Sequence, residues 1–380
     1  MMKSVCERSS IPTGDVQPAT IPAAVSVALL TPAGRGALAV VGVWGPEAVA
    51  SVDRLFTPRG GMPLVEREDG AICFGTWQPT GEDVVVVRQA PDRAEVHCHG
   101  GTAASAAVIA SLETTGAARE SWRQWLALTS PTESVAEARA ALPRAGGPKA
   151  ARILARQAAG AIDREQARIQ ALVAAGDLQA AARGAQRMRA AARVGLRLTT
   201  PWRVVFSGPV NAGKSSLLNA LAGHGRSIVS PLPGTTRDAV STRIVLDGWE
   251  VELVDVAGLR GLDDTVSAVE QAGIARGLAE RQSADLVLRV VPADAPPQEP
   301  GPIAANELLV LSKADLAPDS TLPCAVATSA ETGFGIEALA AAIVHALVPE
   351  ERRDPGLLGG AVPVTERQVA AIEALVTRPR

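Results

Sequence analysis

The sequence predicts a multidomain protein of mixed class: an N-terminal α+β domain, a helical domain, and an α/β domain with a mostly parallel sheet. Three observations carry that expectation. The chain has 380 residues, enough for two or three domains of about one to two hundred residues each. Its patterning changes twice, from short apolar runs to Ala- and Arg-rich stretches, and then to β-rich runs alternating with helices. Finally, Gly208-Pro-Val-Asn-Ala-Gly-Lys-Ser215 lies between a β-rich run and an amphipathic helix, the setting of a phosphate-binding loop.

Residues 1 to 20 are polar and read as a frayed terminus. Strand candidates follow at 25–30, 37–43, 83–87 and 94–98, with the turn Thr31-Pro-Ala-Gly-Arg-Gly36 between the first two and an Ala-rich helix over 102–112. This domain is expected to span 20–118. Residues 119–198 hold strong helix formers with few breakers and predict two or three helices. Over 199–349 the strand candidates are 203–207, 241–246, 251–254, 286–291, 308–311 and 324–327. Asp247-Gly248 signals a tight hairpin between the second and third. A helix over 336–347 closes the unit, and 350–380 holds a Gly/Pro-rich link and one short helix over 365–375.

Composition excludes several classes. Hydrophobic residues make up 47% and charged ones 20%, as in globular domains. The balance of 37 basic against 40 acidic residues excludes a strongly basic nucleic-acid binder, though a local basic patch can still bind RNA. Cys6, Cys73, Cys98 and Cys324 form no C-x-x-C pair, which fits neither a disulfide framework nor a four-cysteine zinc site and suggests a reducing, cytoplasmic setting. No apolar run reaches the roughly 20 residues of a membrane span, and no signal peptide is expected. Only four residues are lysine (Lys3, Lys149, Lys214, Lys313) and three asparagine (Asn211, Asn219, Asn306). In a chain so rich in Arg and Ala, each marks a place where the common substitute would not serve.

Five signals then appear in order, most of them at the end of a strand. In the first, glycines let the backbone wrap phosphates, so that N–H groups of Asn211, Ala212, Gly213, Lys214, Ser215 and Ser216 point at negative charge. Lys214 reaches the β- and γ-phosphates and Ser215 a magnesium ion. Thr235-Thr-Arg-Asp238, among prolines and glycines, suits a switch loop in which Thr236 completes the magnesium shell. Asp255-Val-Ala-Gly258 places a magnesium-holding carboxylate at a strand end and a γ-phosphate-sensing N–H at Gly258. In Ser312-Lys313-Ala-Asp315 the Asp315 carboxylate can accept both donors of the guanine edge, a pair adenine does not offer. Thr328-Ser329-Ala330 supplies an N–H for the guanine carbonyl. Ligands bind beyond the carboxyl ends of strands in an open α/β sheet, and the order matches that rule. The position after Gly258 is Leu259, which cannot orient water as the glutamine of Ras-like proteins does; acidic candidates for that task are Asp263, Asp264 and Glu270.

These residues together resemble the MnmE (TrmE) tRNA-modification GTPases. The resemblance rests on Gly208 to Gly223, Pro233-Gly-Thr-Thr-Arg-Asp238, Asp255-Val-Ala-Gly-Leu-Arg260, and, in the N-terminal domain, Thr31 to Gly36 and Glu95-Val-His-Cys-His-Gly-Gly101. Era and EngA GTPases share the GTPase motifs, so the N-terminal pair points to this family. The resemblance implies a folate-binding-like N-terminal domain, a helical domain with the P-loop GTPase domain inserted in it, and a homodimer. It implies potassium-assisted hydrolysis of GTP, with Asn211 on the potassium ion and Glu270 orienting water, and a flavoprotein partner with which tRNA wobble uridine is modified. Of the folate contacts, Glu95 is retained, the arginine falls at Gly42, and the two lysines have no counterpart. The family's guanine-reading asparagine is Ser312 here, and its C-terminal Cys-Ile-Gly-Lys type tail is replaced by an ending at Thr377-Arg-Pro-Arg380. His97 and His99 share a strand face but lack a third ligand for a metal.

The expectation is therefore a guanine-nucleotide-binding hydrolase acting on tRNA with magnesium and potassium. A tetrahydrofolate derivative is a further candidate ligand, and no DNA or membrane partner is expected. The alternative is a GTP-controlled switch that has lost the modification site. A ribosome-assembly GTPase is a third reading, against which no basic RNA-binding module follows the GTPase domain.

Overall fold

The computed structural model describes residues 25–32, 34, 36–227, 241–255, 281–294, 301–349, 354 and 356–377. The chain divides into two compact units, Met1–Ser130 and Pro131–Arg380.

The first unit contains β1 (Ser26–Leu29), β2 (Leu38–Trp44), α1 (Ala48–Asp53), β3 (Phe56–Pro58), β4 (Ile72–Trp77), β5 (Glu82–Ala90), β6 (Arg93–His99), α2 (Thr102–Thr114), β7 (Ala118–Arg119) and α3 (Trp122–Thr129). Its seven strands form one sheet in the order β3-β4-β5-β6-β2-β1-β7, antiparallel except for β1 beside β7. Alternation sets its buried face: Val84, Val86, Ala94, Val96 and Cys98 point into a core shared with Val108, Ile109 and Leu112 of α2. Each fully buried valine contributes roughly 1.5–3 kcal/mol through the water it leaves. Trp77 is wholly buried and keeps its indole N–H satisfied by donating to Ser111 Oγ at 2.9 Å.

Sequence reading missed β4. Its centre is Gly75, which reads as a breaker, and Ile72 and Phe74 are 74% and 45% exposed, so the run lacks a clean polar face. The glycine is required by packing, since a Cβ there would lie 2.2 Å from the Thr57 carbonyl of β3.

The second unit opens with four helices: α4 (Glu133–Ala141), α5 (Pro148–Ala158), α6 (Ala161–Ala174) and α7 (Leu178–Gly195). With α3, residues 119–198 thus hold five α-helices where two or three were expected. The stretch is interrupted at Gly160 and Gly176, which adopt left-handed φ of 82° and 81°. Thr132 and Asp177 start α4 and α7 by accepting the N–H of Val135 and of Ala180. Such breaks are inconspicuous among strong helix formers.

The α/β part contains β8 (Trp202–Ser207), α8 (Lys214–His224), β9 (Arg226–Ser227), β10 (Ser241–Leu246), β11 (Trp249–Asp255), β12 (Leu286–Pro292), β13 (Glu307–Ser312), β14 (Val326–Ala327) and α9 (Ile336–Leu347). Strand order is β14-β13-β12-β8-β11-β10-β9, with β14, β13, β12, β8 and β11 mutually parallel. β10 runs antiparallel to β11 through the Asp247-Gly248 turn, whose φ values of 43° and 81° suit a tight hairpin. Central β8 is buried on both faces at Val204, Val205 and Phe206, as a middle parallel strand requires.

The final helix α10 (Glu366–Thr377) packs Ile372 against Ile162, Ile169, Ala185 and Met188 of α6 and α7. The link before it is pinned by Gln157, whose amide donates to Gly360 O and accepts from Val362 N, both at 3.2 Å. One core joins Ile153, Leu154, Ala191 and Val194 of the helices to Trp202, Leu246 and Trp249 of the sheet.

Candidate functional site

The site is assembled at the carboxyl edge of the parallel strands. β8 runs into the 208–213 loop, which returns into α8, so the N–H groups at that helix start face the loop. Gly208 sits at φ 149°, and a Cβ there would lie 2.3 Å from the Val290 carbonyl of β12. Asn211 and Gly213 take left-handed φ of 62° and 82°, the reversals that wrap the loop. Asn211, Ser215 and Ser216 are exposed, whereas Ala212 is fully buried.

The expected outcome of Gly208→Ala follows from that close approach. Strained backbone and displaced Val290 should cost about 1–3 kcal/mol. Thermal unfolding should report a lower midpoint, and guanine-nucleotide titration should report weakened binding, because the loop can no longer close over phosphate.

Lys214 is 6% exposed, and its ammonium donates to the carbonyls of Gly208 at 3.1 Å and Pro209 at 2.6 Å. The cation is therefore held over the loop by the loop itself. Ser215 Oγ donates to Asp255 Oδ2 at 2.5 Å. Asp255 is 3% exposed and ends β11, in register with Phe206 of β8. A buried carboxylate beside a hydroxyl at the mouth of an N–H-lined loop is an oxygen-donor set for a hard divalent cation.

The third and fourth pieces follow β13 and β14. Lys313 has φ 56°, and its ammonium meets Asp294 at 3.0 Å. The Asp315 side chain is exposed. Ala314 N donates to Thr328 O at 3.0 Å, which ties the 312–315 turn to the 328–330 turn. Thr328 and Ser329 are fully buried; Ser329 N donates to Phe334 O and Ser329 Oγ accepts from Thr332 N. Gly335 closes this turn at φ 72°, where a Cβ would lie 2.0 Å from Ala327 O. Ser312 is 1% exposed, and its hydroxyl donates to Ala212 O at 2.7 Å, bracing the phosphate loop from β13.

Asn211 to Ser216, Asp255, Ser312, Lys313, Asp315, Ser329 and Ala330 thus all fall in the loops and strand ends along one sheet edge. Thr235, Thr236, Gly258 and Glu270, with the acidic alternatives Asp263 and Asp264, lie outside the described residues. In the first unit, Glu95 contacts His97 Nε2 at 3.3 Å, and His99 Nδ1 meets Glu82 at 2.8 Å. Both histidines have carboxylate neighbours, and no group of three metal-ligating side chains occurs among the described residues. Burial pushes the Cys98 thiol up to about 11, so it behaves as a core residue.

Sequence reading overlooked the joint between the hairpin and α5. Lys149 Nζ meets Asp247 at 2.8 Å, and Lys149 N donates to Gly248 O at 3.2 Å. Gly147 leaves room for that carbonyl, since its Cβ would be 2.5 Å from Gly248 O. Burial pushes the nearby Glu250 carboxyl up, with Arg243 opposing it. The rarity of lysine was the available signal: Lys149, Lys214 and Lys313 all sit at such joints.

The pattern of the 50S ribosome-binding GTPase family matches residues 203–316. The tRNA modification GTPase MnmE of Methylorubrum populi is 37% identical over 373 residues, covering 82% of this chain and 78% of its own length. Its counterpart from Nitratidesulfovibrio vulgaris is 31% identical, covering 92% of this chain and 87% of its own. Among solved structures, the G domain of the T. maritima FeoB iron transporter is 27% identical over 38% of this chain and 98% of that one, with a TM-score of 0.29.

Proposed function

This chain belongs to the MnmE family of tRNA modification GTPases, and from that premise we propose that it hydrolyses GTP to GDP and phosphate in support of tRNA wobble-uridine modification. The observation carrying the reading is the placement of Lys214, the Ser215–Asp255 pair and Asp315 at strand ends along one sheet edge.

The N–H groups of residues 211–216 bind the phosphates, and Lys214 exchanges loop carbonyls for phosphate oxygens. Asp315 accepts the two guanine donors, and the Ser329–Ala330 turn offers an N–H to the guanine carbonyl. Ser312 serves this site by holding the Ala212 carbonyl rather than by reaching the base. Ser215, Thr236 and Asp255 would hold magnesium, and Asn211 would hold potassium. Bound there, the cations neutralise charge developing on the phosphate oxygens, the task an arginine finger performs elsewhere. Gly258 senses the γ-phosphate and Glu270 orients the attacking water.

We place the protein in the cytoplasm as a homodimer working with the family's flavoprotein partner on tRNA. No described helix is long and apolar enough to cross a membrane. The N-terminal unit is read as a folate-binding-like domain, with 20–118, 119–198, 199–349 and 350–380 as domain bounds. Its residues do not fit the family's arginine-anchored folate site. Gly42 lies opposite Glu95 in the β2–β6 ladder, and a Cβ there would be 2.7 Å from Trp125 and 2.8 Å from Leu30. That crowding also favours the second reading, a GTP-controlled switch without the modification site.

GTP turnover should be several-fold faster in potassium than in sodium buffer, with dimerisation in the presence of aluminium fluoride. In the same assay, Glu270→Ala should retain binding and slow turnover by about two orders of magnitude. Turnover indifferent to the cation would remove Asn211 from the mechanism. Restoration of modified uridine in a deletion strain would decide between the enzyme and the switch.

A further inference from the structure

We propose that the exposed arginine face of α5, α6 and α7 is a docking surface for the phosphate backbone of a folded RNA. Residues 131–198 contain 12 Lys and Arg against 5 Asp and Glu, a net charge of +7, so the remainder of this chain of net −3 carries −10. A solvated face that merely keeps helices soluble balances both signs, whereas in this stretch the cations outnumber the carboxylates by more than two to one.

The arrangement is regular. Arg152 and Arg156 on α5, Arg164 and Arg168 on α6, and Arg183 and Arg187 on α7 are each four residues apart, which puts each pair on one helix face. All six side chains are exposed. Contacts link the helices that carry the pairs. A Cβ at Gly184 of α7 would lie 2.9 Å from the Arg168 guanidinium, so Arg168 reaches across to α7 at the residue that follows Arg183. Arg156 donates to Leu358 O and Arg187 pairs with Asp354, so both flank the same short return segment.

Like charges at this spacing weaken a helix on their own. Carboxylates offset only part of the cost: Arg168 has Glu165 and Arg187 has Asp354, whereas Arg152 and Arg183 make no ion pair or side-chain hydrogen bond among the described residues. A partner with regularly spaced anionic groups resolves the repulsion, and the planar guanidinium fork suits phosphate oxygens. Because such contacts carry no base information, docking here is sequence-tolerant and salt-dependent. Naming tRNA as the RNA rests on the tRNA-modification reading; the surface itself does not.

The test is fluorescence anisotropy of labelled tRNA and of a duplex RNA with the full chain over a salt series, with GTP turnover and thermal unfolding measured in parallel. Three double variants are compared with wild type: Arg152→Glu/Arg183→Glu, Arg152→Lys/Arg183→Lys, and Arg54→Glu/Arg59→Glu as a charge control on the first unit. The glutamate pair on α5 and α7 should bind both RNAs at least about tenfold more weakly, with a salt slope smaller by about two. The lysine pair and the control should stay within about threefold of wild type, and turnover should be unchanged throughout. Equal affinity and slope for wild type and the α5/α7 glutamate pair would overturn the surface. So would wild type that turns over GTP yet binds neither RNA, the result expected if the face meets an acidic protein instead. Arginine-dependent RNA binding without GTP turnover would support the surface and overturn the hydrolysis reading.

Discussion

Lys214→Ala should weaken GTP binding at least about a hundredfold, equivalent to roughly 2.7 kcal/mol or more. The ammonium is nearly buried and is the cation aimed into the 208–213 loop, held there by the carbonyls of Gly208 and Pro209. Removing it takes away the proposed counter-charge for the β- and γ-phosphates and the donor to the Gly208 carbonyl, while Pro209 O keeps the Ala212 N–H at 3.3 Å. Calorimetric titration checks the loss. Thermal unfolding of the same sample separates it from collapse of the loop, and Lys214→Met, which keeps the aliphatic stem, isolates the charge. GTP affinity unchanged in both variants would mean that the phosphates bind elsewhere.

Asp315→Asn should lower preference for GTP over xanthosine triphosphate by about three orders of magnitude or more, by reversing a donor and acceptor pattern in the base site. In the proposed site the carboxylate accepts from two guanine donors. An amide presents a donor of its own, which clashes with guanine but matches the extra carbonyl of xanthine. Because the Asp315 side chain is exposed, folding stability should stay within about 0.5 kcal/mol of wild type. Competition of the two nucleotides for a fluorescent analogue gives the ratio directly. An unaltered ratio would place the guanine reader on another residue.

The nucleotide half of the protein was legible in sequence because each signal there is local. The helix over 336–347 is found with those bounds, and the Asp247-Gly248 hairpin requires the positive φ its residue types favour. A phosphate loop is legible for the same reason: glycine spacing, lysine and serine act within one turn of chain. The N-terminal sheet was less legible. β4 owes its pairing to β3 and β5, and its central glycine is explained by a carbonyl from another strand. Helix ends at Gly160 and Gly176 were hidden in a background of uniformly high propensity.

Residue order alone determined the class of the α/β domain, the order of the motifs proposed to bind phosphate, magnesium and guanine, and the family resemblance, since those depend on spacings along a single strand and turn. Tertiary structure decided what spacing cannot encode. It turned Ser312 toward the Ala212 carbonyl, paired Ser215 with Asp255 40 positions away in the chain, joined Lys149 to Asp247, and filled the space at Gly42 with Trp125. It also set Arg168 of α6 against Gly184 of α7 and placed Arg156 and Arg187 on the same return segment. The physical reason is the same in each case: burial and hydrogen bonding act between groups that are neighbours only after the chain has packed.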